Sequence, residues 1–549
     1  MQQQIRLILI AAVVMLGMML YQSWDAEHGE PQNSNSNSIG LPHHAAITDV
    51  PDVPLDHNNP AASADSLDIT TSLAATDVIH VVTDVLDLNI DLHGGDIVSL
   101  KLPKYPQALD TPNKGFKLLD QSLTRFYVVQ SGLLSKTGPD SRRGRARLAS
   151  SKHEYVLSEH QDKLSVDLQY VNKDGVNITK RFTFTKGSYL VDVAYLIANN
   201  SSKDYVARFY TRIKRNPAVS SSSGMFGMQT FTGAAVNTPD KSYKKIAFSD
   251  FADEPFKQQV TGGWAAMEEQ YFLSAWIGNA GQNYHYHTET FKGDLYGIGF
   301  VADTTRVKPG ARESISAKLY VGPEDTDILK TIASGLELTV DYGFLWPICQ
   351  PIFWLLKKIH SFVGNWGLAI IFITILIKAI FYKLSAASYR SMGNMKKLQP
   401  EMQRLKQEFG DDKQKFGQAM MALYRKEKVN PIGGCLPIVV QIPVFIALYY
   451  VLMASVELRH APFFGWIHDL SAQDPFYVLP VIMGISMFAQ QRLSPAPPDP
   501  IQAKIMMFMP LFFTFLFMSF PAGLVLYWVV NNCLSIAQQW YITRDYASK

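Results

Sequence analysis

Lys378 lies inside the apolar run 366–381, WGLAIIFITILIKAIF. A charge at membrane depth costs about 2.5–3.5 kcal/mol on insertion scales, so such residues usually serve a function. The apolar segments around Lys378 contain no Asp or Glu to neutralise it. Its partner must then be water, lipid phosphate or a group that arrives from outside. The competing reading is a lysine that snorkels to the inner interface. Lys383, five residues on and about 7.5 Å along a helix, marks where that interface would lie. Thr374 sits one turn before Lys378 on the same helix face. A second polar row is Gly523, Tyr527, Asn531, Ser535 and Gln538, and Trp528 follows the tyrosine. Gln441, Ser486 and Gln490 mark two further apolar segments. In lipid such groups face protein or water. Read functionally, they face water or a group that enters from outside; read structurally, they are interhelical glue worth about 0.6 kcal/mol each.

The elements that must position these residues are apolar segments at about 365–382, 436–456, 475–491, 504–520 and 522–541. Several are short for a hydrocarbon core of about 30 Å, which needs about 20 residues, so the bilayer is expected to thin around them. Pro437, Pro443 and Pro510 break backbone hydrogen bonds within them, as helices around a cavity do. A further apolar run at 5–20 reads as an uncleaved anchor, because QSWDAEH after it lacks a small-x-small cleavage site. Loop charge sets the orientation. Loop 383–435 carries eleven basic and five acidic residues, a net +6, and is expected inside. Loop 457–474 is at −2 and outside; loop 492–504 is at +1 and inside. Six spans then put both termini in the cytoplasm and residues of about 22–342 outside it.

The chain has 549 residues, a net charge of +3 and three cysteines, none in the long middle region and none in a CxxC pair. The charge argues against a nucleic-acid binder, and the cysteines against a disulfide framework. Residues 1–21 are read as the anchor and 22–75 as a flexible Asn/Ser/Pro-rich linker. Period-two alternation then begins, in VIHVVTDVLDLNIDL, RFTFTKGSYLVDVAYLI and SISAKLYVG. Residues 76–342 are therefore expected to form an antiparallel β-sandwich. His285 and His287 share a strand face but lack a third ligand, so no metal site is expected. There is no GxSxG and no P-loop; an enzyme, a cofactor and nucleotide use are not expected. Residues 343–364, with Ile348, Ile352, Leu355, Ile359 and Phe362 at helical spacing, read as an interfacial amphipathic helix. The core is 365–541, followed by a short tail at 542–549.

Within it, 383–435 reads as a helical hairpin. Leu398, Met402, Leu405 and Phe409 form one stripe, Phe416, Met420 and Leu423 the other, and Gly410-Asp411-Asp412 the turn. Self-packing explains part of this. The methionines, including Met402, Met420 and Met421, exceed that need and suit a surface that receives varied apolar partners.

Three ordered motifs now carry a resemblance. Residues 428–437 (KVNPIGGCLP) running into Gln441-Ile442-Pro443, residues 466–475 (WIHDLSAQDP) and residues 520–527 (FPAGLVLY) resemble the YidC-type membrane protein insertases. The likeness spans the whole layout: an anchor, a large external β domain as in Gram-negative members, and a five-span core with a basic hairpin. It implies a multi-domain membrane protein with a hydrophilic groove open to cytoplasm and lipid and closed on the outer side. In the family the second span supplies the groove's positive charge, usually as arginine. Lys378 keeps the charge and loses the bidentate fork. Two adjacent tyrosines common in the last span are Tyr527 and Trp528 here, and Trp528 lacks the hydroxyl.

The implied partners are nascent membrane proteins, the Sec translocon, the bilayer and, through loops 383–435 and 492–504 only, the ribosome. No nucleotide is needed if partitioning drives insertion. Each Leu, Ile or Phe gains about 0.3–0.6 kcal/mol at a helix centre, whereas an acidic tail residue faces a barrier of about 2.5–3.5 kcal/mol that a charged wet groove lowers. The alternative class is a solute or ion transporter. Carriers place carboxylates or histidines within their spans, and this chain has none there and no visible inverted repeat.

Overall fold

The computed structural model describes residues 77–122, 124–141, 144–217, 231–409, 412–427, 429, 436–494 and 500–547. The expected anchor at 1–21, the linker at 22–75, Gly410-Asp411 of the turn, and Lys428 and residues 430–435 of the first motif lie outside the described residues.

Residues 78–323 build two packed sheets. One has thirteen strands, and its central strands are Tyr205–Arg215, Phe126–Leu134 and Asp96–Pro106. The other has nine and centres on Phe272–Ile277, Arg312–Pro323, Leu190–Asn199 and Val176–Thr185. Strand Val176–Thr185 shows why the sequence folds this way. Val176, Ile178, Phe182 and Phe184 point inward and are buried, while Asn177 is exposed, so the two-residue period of the strand becomes an apolar inner face. Its register against Leu190–Asn199 sets Phe182 opposite Val193 and Ile178 opposite Ile197. The expectation of an antiparallel sandwich holds with two local exceptions. Val78–Val82 pairs parallel with Glu154–Val156, and Phe126–Leu134 pairs parallel with Asp140–Ser141.

The sandwich contains a charged cluster. The Arg145 guanidinium donates through Nε to Asp140 Oδ1 (2.8 Å), through Nη1 to Asp96, and through Nη2 to the carbonyls of Gly94 (3.1 Å) and Ser131 (2.9 Å). The Lys180 ammonium donates to the same two carbonyls, at 3.1 and 2.9 Å. Arg145, Asp96 and Asp140 are all at least nine-tenths buried.

The helices are α1 (Asp250–Asp253), α2 (Thr326–Ile332), α3 (Trp346–Val363), α4 (Trp366–Ile380), α5 (Tyr382–Lys397), α6 (Gln399–Phe409), α7 (Lys413–Lys426), α8 (Leu436–Ala454), α9 (Val478–Leu493), α10 (Pro500–Phe517) and α11 (Ala522–Ala547). Helix α11 is the hub of the bundle and packs against α4, α5, α8 and α9. The outward faces of the bundle are apolar. Val481, Ile482, Ile485 and Phe488 on α9 are exposed, as are Ile505, Phe508, Leu511, Phe512 and Phe515 on α10. An apolar surface of this extent is a lipid-facing surface in a chain of this composition.

The expected spans are helical, but among the described residues no single helix is long and apolar enough to cross a membrane. Two causes act. Helices α4 and α9, with 15 and 16 residues, rise only about 22 and 24 Å. Helix α11 is long enough at 26 residues, but Asn531, Asn532, Ser535, Gln538 and Gln539 lower its apolarity. Helices α4 and α5 pass together, bent by 67° at Phe381. Helix α5, read from the sequence as part of the cytoplasmic hairpin at 383–435, packs on α11 within the bundle.

Helix α3 buries Cys349, Phe353 and Leu356 against the bundle, with Cys349 Sγ 3.6 Å from the Ala447 carbonyl of α8. That face is turned by one residue from the expected Ile348–Ile352–Leu355–Ile359 row, and Phe362, expected on the apolar face, is 88% exposed. The β domain is fastened to the bundle by Arg459. Its guanidinium donates to the carbonyls of Pro106 (2.9 Å) and Gln107 (3.2 Å) and lies over the rings of Phe116 and Phe272. Gln270 Nε2 adds a bond to the Met453 carbonyl at 3.3 Å.

Candidate functional site

Lys378 occupies the last turn of α4, where the carbonyl end of the helix dipole favours a cation. Its ammonium donates to Ser535 Oγ on α11 at 2.8 Å, and Ser535 donates onward to the Asn531 carbonyl at 2.7 Å. The sequence reading gave Lys378 no partner within the protein. The structure gives it a neutral one, 157 residues away, which orients the ammonium without cancelling its charge. Lys378, Ile377, Phe381, Leu384, Ser385 and Gln441 line a cavity of about 10 Å³ between α4, α5 and α8. That is room for about one water.

Gln441 on α8 donates its amide to Tyr527 Oη on α11, and Tyr527 is fully buried. Lys378, Ser535, Gln441 and Tyr527 thus form a continuous polar seam down one side of α11. Asn531 is buried with Oδ1 unpartnered, and Gln539 is buried with Nε2 unpartnered. A buried polar atom left unpaired costs about 1–3 kcal/mol, so this seam calls for water or a polar guest.

Other expected site residues stand apart from the seam. Thr374 is 1% exposed and its hydroxyl donates to the Ile370 carbonyl at 2.6 Å, so it serves its own helix. Trp528 packs edge-on to Phe445 at 4.8 Å and against Phe517 at 5.3 Å, away from the polar row, although its indole N–H is buried and unpaired. Ser486 accepts from Asn532 Nδ2 at 2.9 Å, which is the structural glue of the competing reading. Gln538 donates to the Tyr382 carbonyl at 3.3 Å and ties α11 to α5. Sequence reasoning missed Asn532, Gln539 and Ser385. Asn532 lies on a second polar face of α11, bonded to Ser486, and Gln539 continues the Tyr527–Asn531–Ser535 row by one more turn.

The hairpin of α6 and α7 corrects another expectation. Met402 and Met420 are buried, so they form the hairpin's own core instead of an open receiving surface. Leu405 and Met421 are half-buried.

The second and third motifs meet at the end of the bundle that faces the β domain. The Ala522 N–H donates to the Ala472 carbonyl at 2.7 Å and the Gly523 N–H to the Leu470 carbonyl at 2.9 Å. A Cβ on Gly523 would meet Leu452 Cδ2 at 3.0 Å and the Leu470 carbonyl at 3.1 Å, so a larger residue would push the loop back by a few tenths of an ångström. Asp474, 1% exposed, accepts from Trp466 Nε1 (3.0 Å), Phe476 N (3.0 Å) and Leu479 N (2.7 Å), the last of which caps the start of α9. Asp474→Ala is expected to cost about 2–3 kcal/mol through the lost cap and the stranded indole N–H. A lower melting temperature and faster proteolysis within 455–477 would report it; a change under 1 °C would contradict it.

Comparison with known proteins follows this geometry. The model of the 60Kd inner membrane protein family matches residues 358–549, and that of the YidC periplasmic domain matches residues 78–355. The membrane protein insertase YidC of Pseudomonas fluorescens is 50% identical over 550 residues, covering 98% of this chain and 97% of the relative. That of Stutzerimonas stutzeri is 48% identical over 550 residues, covering 98% of each. A crystal structure of an active YidC insertase with its first transmembrane domain resolved aligns at 18% identity and a TM-score of 0.40, over 85% of this chain and 93% of that one.

Proposed function

Since the chain belongs to the YidC family of membrane protein insertases, we propose that its insertion path is the polar seam around Lys378. As a member it is an inner-membrane protein with a periplasmic domain, and its substrates are nascent membrane proteins. The observation that carries the groove reading is the Lys378–Ser535 bond in a bundle whose apolar segments contain no carboxylate. A lone cation with a neutral partner keeps its field available. Unpaired Asn531 Oδ1 and Gln539 Nε2 offer an acceptor and a donor to a polar tail in transit.

In this reading Lys378 attracts an acidic tail from the cytoplasm, and Gln441, Tyr527 and Asn531 hydrogen-bond its backbone as it crosses. The apolar segment then leaves sideways past the exposed faces of α9 and α10. The loop of Leu470, Ala472 and Asp474 closes the periplasmic end, so the tail crosses only half the bilayer in a wet path. Five core spans and an N-terminal anchor leave both termini in the cytoplasm, with the α6–α7 hairpin there as well. The hairpin receives the emerging chain through half-exposed Leu405 and Met421 and, with loop 492–504, meets the ribosome. Folding assistance and work beside the Sec translocon use the same lateral exit.

The test is a photo-crosslinking residue at Leu384, which lines the Lys378 cavity and makes no polar bond in the seam. With a stalled single-span substrate on ribosomes, an adduct to the nascent chain is expected and should vanish when the substrate's apolar segment is made polar. Adducts to lipid alone would return Lys378 to a snorkelling role.

A further inference from the structure

A cavity of about 510 Å³ lies at the seam between the β domain and the helical bundle and shares no lining residue with the Lys378 cavity. Volumes of 300–1,000 Å³ are typical of small-ligand sites. Its polar side is acidic: Glu268, Glu269, Glu324 and Asp341 line it. Its other side is apolar and comes from the end of α8, with Tyr450, Met453 and Ala454.

The acidic groups differ in how they are satisfied. Asp341 is bonded to Lys245, the cation that lines the cavity. Glu269, which also lines the cavity, is paired with Arg125 at 2.7 Å and Arg215 at 3.3 Å. Glu268 is 2% exposed; Tyr243 Oη donates to its Oε2 at 2.9 Å, and its Oε1 has no partner. Glu324 is 7% exposed, and among the described residues no salt bridge reaches either carboxyl. An unpartnered carboxylate oxygen held this deep is costly unless something supplies a donor or a charge. A bare metal ion does not fit, because among the described residues no three His, Cys, Asp or Glu side chains gather closely enough to hold one.

We propose that this cavity binds an organic cation, a primary ammonium or guanidinium on a short apolar stem, held between the Glu268 and Glu324 carboxyls. The stem lies along Tyr450 and Met453, so an occupant would touch both the β domain and α8. This goes beyond insertion: it would tie the periplasmic domain's posture to a soluble or peptide-borne cation.

The empty and filled states differ by a proton. Burial, against the opposing pull of the Tyr243 hydrogen bond and Lys245, holds the Glu268 carboxyl up to about 8. Burial, then the charges of Glu268 and Glu269, hold Glu324 above its ordinary range. The other charged groups facing the pair are Glu269 with its bonded Arg125 and Arg215, and Asp341 with its bonded Lys245; α8 contributes only the Tyr450 phenol. At neutral pH the Glu268 carboxyl therefore carries its proton. When the cation enters, the carboxyl releases that proton to solvent and the ammonium takes its place. Affinity must then rise with pH through about 8.

The ammonium has two sources, a free amine or a lysine side chain, and the experiment separates them. The full chain in nanodiscs is titrated by calorimetry with 1,5-diaminopentane and with an end-blocked Gly-Lys-Gly peptide, each at pH 6.5 and 8.5. Saturable binding about tenfold tighter at pH 8.5, with proton release, is expected for at least one probe. Tighter diamine binding assigns a free amine, and tighter peptide binding assigns a polypeptide. Acetylating the lysine should abolish the peptide signal. Glu268→Gln keeps the size and the Tyr243 contact and should weaken binding at least tenfold with an unchanged melting temperature. If that variant misfolds, Glu324→Gln serves the same purpose. Absence of saturation by either probe at millimolar concentration, or undiminished binding by the glutamine variant, overturns the proposal.

Discussion

Lys378→Glu is expected to reduce insertion of substrates with acidic translocated tails by more than tenfold while sparing neutral-tailed ones. Two unit charges about 6 Å apart interact by about 2.5–3 kcal/mol at an effective permittivity of 20. Reversal turns that attraction into a repulsion of like size, and about 1.4 kcal/mol suffices for a factor of ten. Lys378→Arg keeps the charge at the end of α4 and should insert both substrate kinds at close to the normal rate. Lys378→Met, which removes both the charge and the Ser535 bond, should fall between. Protease protection of reconstituted substrates with paired acidic and neutral tails reads the outcome. Equal loss for both tails would mean that the variant damages the bundle and that the field of Lys378 plays no selective part.

Arg145→Leu should destabilise the β domain by about 3–5 kcal/mol, the usual cost of removing one partner from a buried ion pair. The loss strands two carboxylates, since Asp96 and Asp140 both lean on this guanidinium and are 7% and 2% exposed. It also removes two bonds to the Gly94 and Ser131 carbonyls. Lys180→Met should be milder. Burial pulls the Lys180 ammonium down to about 7, so near neutral pH much of its charge is already absent, and Arg145 still serves the two carbonyls. Urea midpoints for the two variants test the order. A midpoint for Arg145→Leu within about 1 kcal/mol of the parent would show that the cluster is wet or that the carboxylates find other donors.

The contrast between these two residues shows what the sequence could and could not tell. The period of two in residues 176–185 is a local signal, and the sheet it implies is the sheet that forms. The lysine in an apolar run is equally local, and Lys378 lies in the seam it suggested. Its bond to Ser535 is not local: nothing near either residue encodes a contact 157 positions away. The bend at Phe381 has the same cause, since residues 377–385 hold no Pro or Gly to signal it. Helix α5 turns there because its Ser385, Ser388, Tyr389 and Gly393 bury themselves in the bundle. The methionines of the hairpin were read by composition, which cannot say whether a stripe faces a partner or its own twin; Met402 and Met420 face inward. Arg145 drew no attention because an arginine between short strands looks like surface until the second sheet closes over it.

The polar row on α11 has one more consequence, for how the molecule comes to exist. Asn531, Asn532, Ser535, Gln538 and Gln539 leave this helix too hydrophilic to partition into lipid alone. Helix α10 is apolar around much of its surface and ends at Phe517, five residues before α11 begins. Helix α11 packs instead on α4, α5, α8 and α9, so it must enter the bilayer against helices already placed there. The sequence of α11 fused alone behind a neutral leader should fail to integrate, whereas the chain stopped after 520 should integrate without it. By this logic the chain is a demanding client of its own trade: the feature that would let it install other proteins is the one that makes its last helix hard to install.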